Sequence, residues 1–86
     1  MIVHGRVQGV GFRDWTQRMA QSHGVSGWCR NRRDQTVEIS VSGNREAVEA
    51  FRDEVENGPS MAKVERVEAS ESEERHSGAF EIRPTA

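Results

Sequence analysis

The sequence predicts an α+β two-layer sandwich built in the order strand, helix, strand, strand, helix, strand. Three observations carry that reading. Two stretches place apolar residues at helical spacing, and each ends at a glycine, Gly24 and Gly58. Around them lie short runs rich in Val, Ile and Trp. The supply of core residues is thin: 34% of the 86 residues are hydrophobic and none is leucine or tyrosine. So few large apolar side chains suit two layers better than a helical bundle.

Taken in order, residues 2–7 alternate weakly and form the first strand. Phe12, Trp15, Met19 and Ala20 then share one face of a helix running from Phe12 to about His23, capped by Gly24. Val25–Arg30 is a second strand, and Arg32-Arg33-Asp34-Gln35 is a hairpin connection. Val37, Ile39 and Val41 alternate with Glu38, Ser40 and Ser42, the cleanest half-buried strand of the chain. Asn44 is placed to cap a second helix, which buries Ala47, Val48, Phe51 and Val55 until Asn57-Gly58-Pro59 stops it. Ala62–Ala69 is the fourth strand; Val64 and Val67 stand three apart, which requires a bulge. Residues 70–78 are acidic and Ser-rich, a mobile loop ahead of a short last strand around Phe80 and Ile82. Helices at both crossovers of one antiparallel sheet put both on the same face, the split βαβ, ferredoxin-like arrangement. Residues 1–86 read as a single domain without repeats.

Charge and composition bound the function. No segment is apolar enough to span a membrane, and Met1 leads into a strand-like run rather than a signal peptide. The lone cysteine, Cys29, rules out an internal disulfide and suits a reducing compartment. The expectation is a cytoplasmic monomer with no membrane or nucleic-acid partner. The net charge of −2 conceals an asymmetry: residues 1–33 hold six arginines against one acid, Asp14, a net +5. Residues 34–86 hold six basic and thirteen acidic residues, a net −7. The positive end coincides with the most informative stretch of the chain, from Val3 to Arg13. There a strand enters a glycine-punctuated turn, which opens a helix carrying Arg13 in its first turn. Gly9 and Gly11 let successive amides converge, the helix adds its unpaired N-terminal amides, and Arg13 adds a forked cation. Together they describe a site for a small phosphate-like anion.

Other chemistries fit the residues less well. Cys29 reads as a core thiol, because a Cys-x5-Arg nucleophile motif would need arginine where Gln35 stands. His4, His23 and Cys29 lack metal-ligand spacing, and His76 lies in the acidic loop. No Gly-Lys-Ser/Thr follows the glycines, so the turn is not a P-loop. A base-stacking RNA surface needs aromatics on the central strands, which offer only Trp28; Trp15 and Trp28 read as packing residues.

The stretch Gly5-Arg6-Val7-Gln8-Gly9-Val10-Gly11-Phe12-Arg13 is similar to the first signature of the acylphosphatase family. Gly27-Trp28-Cys29-Arg30-Asn31, followed by Val37 and Gly43, resembles the second, and Gly58-Pro59, Ala62, Val64 and Phe80 fall where that family tends to have them. The resemblance covers nearly the whole chain. It implies hydrolysis of the carboxyl–phosphate bond of small acyl phosphates, releasing inorganic phosphate, with no metal or cofactor. It also implies a division of roles: Gln8, Gly9, Val10, Gly11, Phe12 and Arg13 bind the phosphate, Arg13 and Asn31 are catalytic, and Asn31 orients the attacking water. The other reading is a non-catalytic module binding phosphate or carbamoyl phosphate. One departure stands out: Gln35 occupies a position where the family usually has glycine. Either that backbone is left-handed and strained by about 1–2 kcal/mol, or the hairpin takes another turn.

Overall fold

The computed structural model describes residues 1–86. Its elements are β1 (Ile2–Arg6), α1 (Phe12–His23), β2 (Ser26–Asn31), β3 (Val37–Ser42), α2 (Arg45–Asn57), β4 (Lys63–Glu68) and β5 (Phe80–Ile82). The sheet order is β4-β1-β3-β2-β5. The first four strands are antiparallel neighbours, as expected, whereas β5 runs parallel to β2, so the sheet as a whole is mixed. The reason is positional. β4 finishes at the end of the sheet where β2 begins, so a chain crossing along that end enters beside β2 in the same direction.

Strand alternation sorts side chains cleanly between two faces. Val3, Cys29, Val37, Ile39 and Phe80 point toward the helices and are buried, with Phe12 and Ala20 from α1 and Phe51 and Val55 from α2. The Phe51 and Phe80 rings meet at 5.9 Å between centroids. Thr16, not Trp15 or Met19, fills the buried stripe of α1 between Phe12 and Ala20. Its hydroxyl donates to the Phe12 carbonyl at 2.8 Å, which makes a polar residue tolerable there. Trp28 lies on the other face, covered by the guanidinium groups of Arg30 and Arg83 at 4.8 and 4.7 Å from its ring centre. It is therefore a packing residue and not an exposed stacking platform.

The local signals appear where the sequence places them. Asn44 accepts from the Glu46 amide at 2.9 Å, and Gly24 closes α1 in the left-handed region. Val67 pairs with Val3 and Val64 with Gly5, leaving Glu65 as the extra residue of a bulge in β4. Gly5 answers that bulge: at φ 127° a Cβ here would stand 2.1 Å from the Lys63 carbonyl oxygen. The acidic loop is irregular, yet its far end is fastened across the open face. His76 Nε2 and Ser40 Oγ share a 2.7 Å hydrogen bond, and Ser26 Oγ donates to the Gly78 carbonyl at 2.6 Å.

The β2–β3 hairpin is the connection closest to the chemistry, because Asn31 ends β2 opposite Val37. Its turn is left-handed at Gln35, the only non-glycine residue of the chain with positive φ, at 74°. The Arg32 amide donates to the Thr36 carbonyl at 2.9 Å and the Gln35 amide to the Arg32 carbonyl at 3.2 Å. Asp34 Oδ1 accepts from both the amide and the hydroxyl of Thr36. These bonds, the hydroxyl's first, hold the Asp34 carboxyl below its ordinary pKa.

Gly5→Ala should lose about 2–4 kcal/mol of stability, read from urea denaturation, because the methyl group meets backbone and φ stays positive. Gln35→Gly removes roughly 1–2 kcal/mol of left-handed strain and returns part of it as chain entropy. The melting temperature rises by about 2–8 °C; an unchanged or lower value would mean that Gln35 bears no strain. For Asp34, the lowered folded-state pKa means that its contribution is complete above the ordinary carboxylate range and is lost as pH falls through the folded value. The melting-temperature gap between wild type and Asp34→Asn should thus be open at neutral pH and close steadily below about pH 4. A gap independent of pH would remove Asp34 from the account.

Candidate active site

Val7 and Phe12 are both 1% exposed, so the chain is drawn into the core at two points five residues apart. The residues between them must turn outward and back. Gly9 and Gly11 make this possible at φ 72° and 74°, and nothing lies within 4 Å of a Cβ added at either, so backbone conformation rather than space demands glycine. Gly11 is also the N-cap of α1: its carbonyl accepts the Trp15 amide at 3.1 Å, while no side chain caps the first turn. The first amides of α1 therefore face outward with the positive end of the helix dipole behind them.

Arg13 sits in that first turn. It is half-buried, yet its guanidinium enters none of the ion pairs of the chain. Asn31 approaches from β2, on the same face of the strand as the core residue Cys29. Its backbone is held by the Val37 pairing and by the Ala86 amide, which donates to the Asn31 carbonyl at 3.0 Å. Its side-chain Oδ1 is buried and has no partner. A buried amide oxygen left unpaired costs about 1–3 kcal/mol.

These groups share one cavity of about 150 Å³, roughly five water volumes. Gly9, Gly11, Phe12, Arg13 and Asn31 line it, so five of the seven residues expected from the sequence come together. Gln8 and Val10 do not line it. Val10 packs against the edge of the core, and the Gln8 side chain turns to the hairpin. Three lining residues escaped the sequence reading: Val7, Asp14 and Ile82. Asp14 was legible in principle, since a residue directly after Arg13 in the first helical turn stays near the same opening. It is the one carboxylate at the rim, where the helix dipole favours it. Ile82 arrives on β5, whose parallel placement no local pattern announces.

The remaining candidates settle into structural roles. The Cys29 thiol is pushed up to about 12, chiefly by burial, and stays protonated at neutral pH. No three His, Cys, Asp or Glu side chains converge in a manner that would hold a metal ion. No helix is long and apolar enough to cross a membrane.

The chain is similar in sequence and fold to known proteins. The acylphosphatase family model matches residues 1–82. An acylphosphatase of Thiobacillus denitrificans is 51% identical over 81 residues, covering 94% of this chain and 90% of that protein. The crystal structure of the Bacillus subtilis acylphosphatase superposes with a TM-score of 0.81 at 40% identity, covering 95% of this chain and 92% of that one. A full-length HypF in its phosphate- and nucleotide-bound form superposes with a TM-score of 0.86 at 30% identity, through 98% of this chain but 11% of its own. With a family match across almost the whole length and half the residues shared with a relative of nearly the same size, this chain belongs to the acylphosphatase family.

Proposed function

We propose that this acylphosphatase hydrolyses the carboxyl–phosphate bond of small acyl phosphates by in-line attack of a water held by Asn31. The observation that carries the proposal is that Arg13, which enters no ion pair, and Asn31, whose buried Oδ1 has no partner, line one cavity. The two groups divide the work. Arg13 and the amides of the lining residues Gly9, Gly11 and Phe12 take the equatorial phosphoryl oxygens, with charge-assisted hydrogen bonds of roughly 1.5–3 kcal/mol each. Asn31 accepts one proton of the water and so aims its lone pair at phosphorus.

The water oxygen forms a bond to phosphorus as the bond from phosphorus to the acyl oxygen breaks. The electron pair leaves on the carboxylate, and the water proton passes to a phosphoryl oxygen. A carboxylate is stable unprotonated near neutral pH, so the leaving group needs no general acid. Catalysis therefore reduces to positioning and charge neutralisation, the terms that dominate phosphoryl transfer. No step in this scheme calls on a metal. We read the chain as a monomer working in a reducing, cytoplasmic setting, where its single cysteine, the buried Cys29, stays a free thiol.

The likeness to a segment of HypF, solved in a phosphate- and nucleotide-bound form, favours one second reading, a non-catalytic module that binds phosphate or carbamoyl phosphate. Steady-state hydrolysis of benzoyl phosphate in the presence of EDTA separates the two. Wild type should turn over, Asn31→Ala should lose about 10²–10³-fold in kcat with KM within a few-fold, and Arg13→Ala should lose protection by phosphate against thermal unfolding. A folded wild type that binds phosphate without turnover would establish the binding module instead. Undiminished phosphate protection in Arg13→Ala would remove that residue from the cradle.

A further inference from the structure

We infer that Gln8 is a positioning residue that locks the phosphate cradle to the hairpin carrying Asn31, an inference resting on the hydrolytic reading of the site. Its Nε2 donates to two carbonyl oxygens across the site, Arg32 at 2.8 Å and Thr36 at 2.9 Å. A primary amide has two N–H donors, so both are committed. The Oε1 that remains is an acceptor and has nothing to offer a phosphoryl oxygen. The Gln8 side chain therefore acts on the hairpin, while its backbone leads directly into Gly9, which lines the cavity.

The two carbonyls it holds are the hinge points of the turn. The Arg32 carbonyl also accepts the Gln35 amide, and the Thr36 carbonyl also accepts the Arg32 amide. Asn31 precedes Arg32 directly, and Gly9 comes directly after Gln8. One side chain thus fixes the separation between the cradle that grips the phosphoryl group and the amide that holds the water. The turn it braces carries a non-glycine residue, Gln35, in the left-handed region. In-line attack tolerates little error in that separation, and a displacement of about 1 Å costs on the order of 10²-fold in rate.

The test is a set of variants measured for kcat, KM, inorganic phosphate affinity and amide hydrogen exchange. Gln8→Met keeps the length and removes both donors. It should lower kcat roughly 10–100-fold while the Kd for inorganic phosphate stays within about threefold of wild type. In an Asn31→Ala background the same change should alter kcat less than about twofold, because the group being positioned is gone. Gln8→Glu places a carboxylate against two carbonyl oxygens, which raises its pKa; protonation restores one donor, so its kcat relative to wild type should climb as pH falls. Retained kcat in Gln8→Met, an equal loss in both backgrounds, or a phosphate Kd that rises in step with KM would overturn the inference. The Arg32 and Gln35 amides should exchange faster in Gln8→Met whether or not the chain turns over substrate. Failure of the hydrolytic reading would appear as a wild type without turnover, and failure of the brace as unchanged exchange at those two amides.

Discussion

Burial of Val7 and Phe12 on either side of a four-residue excursion is the constraint from which the site grows. Both side chains sit in the core, one at the end of the β1 segment and the other opening α1. Of the residues between them only Val10 reaches the edge of the core, and two glycines in the left-handed region let the chain turn outward and back. The same burial aims α1, so its N-terminal amides and Arg13 point at the opening the loop creates. Hydrophobic anchoring and the proposed anion cradle are here one piece of geometry. Loosening either anchor would disperse the cradle before it touched the chemistry.

The site holds groups whose partners the rest of the fold does not supply. Arg13 is half-buried without an ion pair and the Asn31 amide oxygen is buried without a donor; outside the site the one buried side-chain polar atom without a partner is Trp28 Nε1. Thr16 bonds its own helix, Asn44 caps α2, and Arg30 pairs with Glu38 at 2.8 Å. Such exceptions cost stability and persist at sites that await a ligand. Asp14 at the rim tempers the positive field of the N-terminal half without neutralising it.

What the sequence reveals here is what short-range chemistry decides. Asn44 and Gly24 cap where their side chains or φ freedom require, and the spacing of Val64 and Val67 announces a bulge because strand alternation has period two. Gly9 and Gly11 with Arg13 sketch the cradle from eleven residues. The rest depends on contacts far apart in the chain. The parallel entry of β5, and with it Ile82, is decided by where β4 ends in the sheet. Thr16 hides from an apolar count because its hydroxyl is satisfied within the helix. The direction of the Gln8 side chain is set by carbonyls 24 and 28 residues away.

Gln35 shows how strain and function are kept apart. A side chain in the left-handed region costs about 1–2 kcal/mol, yet the turn does not relax into another form. Its two ends are tied by the Arg32–Thr36 bond, Asp34 holds Thr36, and Gln8 braces both hinge carbonyls from the cradle. Escaping the strain would mean giving up several hydrogen bonds at once, each worth roughly 0.5–1.5 kcal/mol net. The backbone therefore keeps the shape a glycine would adopt without effort. The departure from the family pattern is absorbed as lost stability, and Asn31 stays beside the cradle.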